Sequence, residues 1–185
     1  MLVALSLLAV QFLLTVASGI LVVFAFSCLP MPVPYLPTRR GTFTRALSEL
    51  DLQPNDVFYD IGSGDGRVVL AAHRLEPRAR CIGLEKRWGW HQVARYLHWK
   101  MGSYPRVEFR RGDFYTTSFA DATKIYVFLC TQVMADLEPV FEQQLKGATL
   151  VSCGFAFPHK VPTRVIDLDA SVGERIFRRL YVYTY

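Results

Sequence analysis

The stretch Val57-Phe-Tyr-Asp-Ile-Gly-Ser-Gly-Asp-Gly-Arg-Val-Val-Leu70 constrains this chain more than any other. Apolar and aromatic residues from Val57 to Ile61 read as a strand. Three glycines follow at alternate positions, Gly62, Gly64 and Gly66, and then a helical run through Ala72. Strand, glycine loop and helix form the opening unit of a nucleotide-binding α/β sheet. Glycine lets the backbone turn sharply and lets a ligand approach main-chain atoms with no Cβ in the way. N–H groups opening a helix can hold an anionic group. The spacing is Asp60-x-Gly62-x-Gly64-x-Gly66, whereas a dinucleotide fingerprint would place its last glycine at Arg67. An acid at the strand end suits a ligand carrying an ammonium group. NAD, another nucleotide and a purely structural turn are the competing readings of the loop alone.

At 185 residues the chain has room for one domain. Its formal charge of +5 is mild and scattered. A nucleic-acid partner would want a denser patch interleaved with aromatics, so none is expected. Cys28, Cys81, Cys130 and Cys153 show no metal spacing, and three of them sit within or beside strand-like runs as buried thiols. His73, His91, His98 and His159 form no ligand group either, so no metal site is expected.

Residues 1–29 contain no charged side chain. A helix of that length spans the hydrocarbon core of about 30 Å. A cleaved signal peptide would want a positive start and a shorter apolar core, so a retained single-pass anchor is expected. Arg39, Arg40 and Arg45 follow it and no cation precedes it, which places the rest of the chain on the cytoplasmic side. Residues 30–41, with four prolines, read as an extended strap. It is either a spacer or a segment folded back over the site. Residues 42–185 form the expected globular domain.

In that domain Thr42–Leu50 reads as a helix with Phe43, Ala46, Leu47 and Leu50 on one face. Strands are expected at 57–61, 79–84, 106–110, 124–130, 148–155, 163–168 and 175–183. Helices are expected from the glycine loop to Leu75, over Trp88–Met101 and over Val133–Leu145. In Trp88–Met101 the aromatic residues read as packing. The alternation predicts a largely parallel sheet covered on both faces, closed by an antiparallel pair. Ligands of such sheets bind beyond the carboxyl ends of the strands. Glu85 ends the second strand, where a carboxylate can accept ribose hydroxyls. Asp113 and Phe114 follow the third, where they can meet an adenine amino group and ring. Ordinary surface and turn roles are the alternatives for both.

Asp60-Ile-Gly-Ser-Gly-Asp-Gly66, Gly83-Leu-Glu-Lys86 and Gly112-Asp-Phe114 together resemble class I S-adenosylmethionine methyltransferases. With an apolar N-terminus and Pro34-Tyr-Leu-Pro-Thr38, the chain is similar to small membrane-anchored protein-lysine methyltransferases, the type acting on adenine nucleotide translocase and on the c-ring protein of ATP synthase. Val127-Phe-Leu129 matches as well, whereas Cys130-Thr131-Gln132 departs from lysine enzymes carrying Asn or acids there. The resemblance implies a seven-stranded Rossmann-like sheet with S-adenosylmethionine as cofactor. The implied cofactor-binding residues are Asp60, Gly62, Ser63, Gly64, Asp65, Gly66, Glu85, Lys86, Asp113 and Phe114. On the acceptor side, Tyr35 and Phe128 are expected to line an aromatic slot, with the Leu129 carbonyl beside the amine and no single general base. The implied substrate is a lysine of an integral membrane protein. A lipid or quinone acceptor, and a non-catalytic cofactor-binding regulator, share the same cofactor half.

Overall fold

The computed structural model describes residues 2–28, 37–169 and 177–185; in the first helix, side chains are described for residues 6–22 and 24. The strap residues 30–36, Tyr35 among them, lie outside the described residues. The chain divides into two compact units, Met1–Pro32 and Val33–Tyr185. The first is α1 (Leu2–Cys28), a single helix. A membrane-crossing helix is the sequence expectation here. Among the described residues no helix is long and apolar enough to cross a membrane.

The second unit is built on one seven-stranded sheet. In chain order it contains α2 (Arg40–Leu50), β1 (Val57–Ile61), α3 (Arg67–Leu75), β2 (Arg80–Glu85), α4 (Trp88–Lys100) and β3 (Val107–Arg111). β4 (Lys124–Val127), α5 (Thr131–Gln144), β5 (Thr149–Cys153), β6 (Arg164–Asp167) and β7 (Arg179–Thr184) complete it. The strand order is β3-β2-β1-β4-β5-β7-β6. β1 to β5 pair in parallel, and β7 runs antiparallel to both β5 and β6. The antiparallel closing pair agrees with expectation. Insertion of β7 between β5 and β6 does not follow from local pattern, because pairing partners are chosen by long-range contacts. The direction of chain growth reverses between β1 and β4, which puts the switch-point crevice at the ends of these two strands.

The central strands bury both faces, so their sequences run nearly unbroken in apolar residues. One core layer joins Phe43, Leu47 and Leu50 of α2 and Val69 of α3 to Phe58, Cys81 and Val151 of the sheet. The opposite layer joins Met134, Leu137 and Phe141 of α5 to Ile125, Leu150 and Tyr183. Between β3 and β4 no helix forms. A loop covers the sheet there, and its Phe119 is fully buried, edge-on to Tyr59 and to Phe141. Beyond this loop the same side is finished by charge: Arg110 hydrogen-bonds Glu108 and the Tyr59 hydroxyl, and Arg80 pairs with Glu108 and Asp121.

Two strands end earlier at the crevice than the sequence reading has them. β4 stops at Val127, so Phe128, Leu129 and Cys130 leave the sheet at the crevice. β5 stops at Cys153, freeing Phe155. Within α4 the buried or half-buried Trp90, Ala94 and Leu97 share the inner face, whereas Tyr96 and Trp99, read from sequence as packing, point outward because nothing among the described residues covers that side.

Candidate active site

The glycine loop is held by its neighbour strand. The N–H groups of Gly62 and Ser63 both donate to the Leu84 carbonyl, at 2.9 and 3.0 Å. Gly64 donates its N–H to Glu85 Oε2 at 2.9 Å, and Arg87 donates its own to Oε1 at 2.8 Å. The three glycines have φ of 79°, 54° and 79°, in the left-handed region that other residues enter at a cost of about 1–2 kcal/mol. At Gly66 space is a second constraint. A Cβ there would lie 2.5 Å from the Phe109 ring.

Asp60 is buried at the end of β1, 3% exposed, and among the described residues its carboxylate accepts no hydrogen bond. Burial first, and then the negative charges of Glu85 and Asp65, hold its carboxyl well above the ordinary 3.8. A buried, uncompensated carboxylate beside two other acids is costly by itself and suits a cationic ligand. Glu85 keeps spare capacity. Each oxygen accepts one N–H, and a carboxylate has about four acceptor sites in all.

The remaining candidates carry partners that their sequence does not announce. The Ser63 hydroxyl is buried without a hydrogen-bond partner among the described residues and faces Gly83, where a Cβ would lie 2.9 Å from it. Its side chain therefore turns into the sheet. Asp65 is chelated by Arg67, with Nη2 2.6 Å from Oδ2. Lys86 pairs with Asp113 Oδ2 at 2.7 Å, bridging the ends of β2 and β3. The Tyr115 N–H donates to Asp113 Oδ1. Burial would raise the Asp113 carboxyl, but the Lys86 hydrogen bond, the Tyr115 N–H and the Lys86 charge hold it below its ordinary value. Phe114, half-buried, packs on Tyr115 with centroids 4.6 Å apart.

On the other side of the loop, Leu129 is buried, and its Cδ2 lies 3.1 Å from where a Gly62 Cβ would stand. Phe128 stacks on Phe155 (6.2 Å, 24°) and tilts against Phe177 (5.4 Å). Sequence reasoning singles out Phe128 but misses Phe155 and Phe177. The aromatic pair Phe155 and Phe157 at the end of the expected strand is a hint of the first, and nothing local marks the second. Tyr126 donates its hydroxyl to Thr38 at 3.3 Å, and Thr42 donates to the Phe177 carbonyl at 3.3 Å. The end of the strap is thus fastened to the domain beside the aromatic trio.

Among the described residues no group of three His, Cys, Asp or Glu side chains is placed to hold a metal ion. Cys81 and Cys153 are buried free thiols. Burial pushes both up to about 12, which leaves them protonated and inert.

Strand order, glycine loop and acid-lined crevice define a class I S-adenosylmethionine-dependent methyltransferase. Residues 60–164 match the model of the ANTKMT methyltransferase domain, and the chain belongs to that family. It is 30% identical to a protein-lysine N-methyltransferase of Saccharolobus islandicus over 81% of this chain and 93% of that one. It is 34% identical to the adenine nucleotide translocase lysine N-methyltransferase of Mus musculus over 75% of this chain, and spans 60% of that longer protein. A solved RNA methyltransferase of Salinibacter ruber, in complex with S-adenosyl-L-homocysteine, superposes with a TM-score of 0.73. It is 33% identical, over 80% of this chain and 93% of that one.

Proposed function

We propose that this chain transfers the methyl group of S-adenosylmethionine to lysine side chains of membrane proteins, and that α1 anchors it in the bilayer. The observation that carries the lysine reading is the aromatic trio Phe128, Phe155 and Phe177, linked to the glycine loop through Leu129, the residue after Phe128, which packs on Gly62. The names of the two protein relatives support it.

The cofactor supplies an electrophilic methyl on a sulfonium, and the rest is positioning. In this reading Asp60 meets the cofactor's ammonium end. The spare lone pairs of Glu85 accept from its ribose, and Asp113 and Phe114 bracket its base. The loop glycines give the close approach, while Lys86 and Asp65 hold the surrounding carboxylates and turns in place. A lysine amine must be neutral to attack, and its ordinary pKa is about 10.4. Burial among aromatic rings disfavours the ammonium and lowers that value. Phe128 and its two neighbours give such an environment, with the Leu129 backbone beside them to orient the amine.

The anchor rests on a 27-residue helix inside a stretch without charge, followed by arginines that put the catalytic unit on the cytoplasmic side. In this reading a bilayer-bound α1 keeps the rest of the chain near the membrane, where lysines on exposed loops of integral membrane proteins are within reach.

The test is to incubate the full chain with methyl-labelled cofactor and membranes, then to separate protein, lipid and RNA. Label in protein, on lysine by mass spectrometry, is expected. Label in lipid or RNA would overturn the lysine reading, and cofactor binding without any transfer would point to a regulator. Carbonate washing should leave the chain in the membrane; release would overturn the anchor.

A further inference from the structure

The outer face of α4 carries a feature that methyl transfer does not use. All three tryptophans of the chain, Trp88, Trp90 and Trp99, lie in this one helix. Trp90 turns inward, whereas Trp88 is 38% exposed, Tyr96 56% and Trp99 68%. At 3.6 residues per turn, Trp88, Arg95, Tyr96 and Trp99 fall on one stripe about 100° wide. Tyr96 and Trp99 form a ring pair with centroids 5.9 Å apart. Large aromatics left in water in this number are unusual on a folded surface and mark a contact face.

Charge gives the face its sign. Between Glu85 and Glu108 the chain contains no acidic residue, while Lys86, Arg87, Arg95, Lys100 and Arg106 are basic. Elsewhere on the domain several cations sit on local carboxylates, among them Arg67 on Asp65, Arg78 on Glu76, Lys160 on Glu142 and Arg179 on Asp167. Arg95, Lys100 and Arg106 are exposed and enter no ion pair among the described residues. A convex helix with Trp and Tyr rings flanked by unneutralised Arg and Lys matches the chemistry of a bilayer surface. The rings sit at headgroup level, and the cations meet anionic phosphates.

We propose that α4 docks the catalytic unit onto anionic bilayer headgroups. The contact is separate from the α1 anchor and sets which face of the domain meets the membrane. α4 begins three residues after Glu85, so docking brings the cofactor end of the sheet to the membrane surface. The inference extends the membrane reading above, and its readout is independent of whether α1 spans the bilayer.

The absence of tryptophan outside α4 supplies the test. The full chain is placed in nanodiscs of neutral phosphatidylcholine or with added anionic phosphatidylglycerol, each with brominated acyl chains that quench tryptophan. Quenching should be strong with anionic lipid, weak with neutral lipid and reversed by salt. Each cation near the surface contributes about fivefold, so Arg95→Gln with Lys100→Gln should cut the docked-to-undocked ratio roughly thirty-fold. Trp99→Ala should remove most of the quenched signal. Cofactor binding should stay unchanged in both variants, which shows that they are folded. Equal quenching in neutral and anionic discs, or none in either, overturns the proposal. So does a double variant that keeps its lipid quenching but loses affinity for single-stranded RNA. Carbonate washing, which reads α1, does not alter this result.

Discussion

The Gly64 N–H points at Glu85 Oε2 across 2.9 Å, so the carboxylate expected to serve a ligand also holds the loop that receives it. With Arg87 on the other oxygen, Glu85 fastens both the β1 loop and the entry to α4. Hydrogen bonds to a charged group contribute about 1.5–3 kcal/mol each. Glu85→Ala should therefore lower the melting temperature of the cofactor-free protein as well as its affinity for S-adenosylmethionine, the latter by about tenfold or more. Glu85→Gln keeps one acceptor and should fall between. Scanning calorimetry without cofactor and titration with it read the two effects; a melting temperature equal to wild type in Glu85→Ala would refute the structural role.

Asp60 should make binding pH-dependent. Its folded carboxyl titrates well above the ordinary 3.8 of the unfolded chain. Between those values the folded state holds the extra proton, so this group's contribution is full below about 3.8 and is lost as pH rises through the folded value. A cationic cofactor favours the ionised form. Binding should release a proton in that window, and affinity should rise with pH across it. Calorimetry in buffers of different ionisation enthalpy measures the proton. Asp60→Asn should abolish the release, weaken binding and raise cofactor-free stability at neutral pH.

Gly66→Ala combines a left-handed φ with a Cβ 2.5 Å from the Phe109 ring. The conformational part costs about 1–2 kcal/mol and overpacking a further ~1–3 kcal/mol. Adding Phe109→Leu should recover the second part and leave the first. Urea unfolding of the two variants separates them. Full recovery in the double variant would mean that backbone conformation does not matter at Gly66.

Phe128 touches two aromatic rings and no cofactor-side candidate in the contacts described. Phe128→Ala should then cut kcat/KM for a lysine substrate by about tenfold or more while leaving S-adenosylmethionine affinity within about twofold, as expected when an acceptor contact is lost. A parallel loss in cofactor affinity would move Phe128 to the other half of the site. Phe155→Ala should behave alike.

Local sequence determined a good deal of this protein. The Asp60-x-Gly62-x-Gly64-x-Gly66 spacing and the apolar strands specify their elements by themselves, because positive φ and backbone approach leave little choice but glycine and because strands buried on both faces must be apolar throughout. The places of Glu85, closing β2, and of Asp113, just past β3, were legible too, because apolar runs mark where those strands end. The strand order, by contrast, comes from pairings between distant segments, and β7 entering between β5 and β6 leaves no local mark. The partners of the site residues are equally non-local. Lys86 meets Asp113, Ser63 turns toward Gly83, and Phe177 reaches Phe128 only once the sheet is assembled. On α4 the periodicity names an inner face, but aromatic rings read alike in a core and at a contact surface. Only the packed structure separates the buried Ala94 and His91 from the exposed Tyr96 and Trp99, because exposure depends on what the rest of the chain places over a helix.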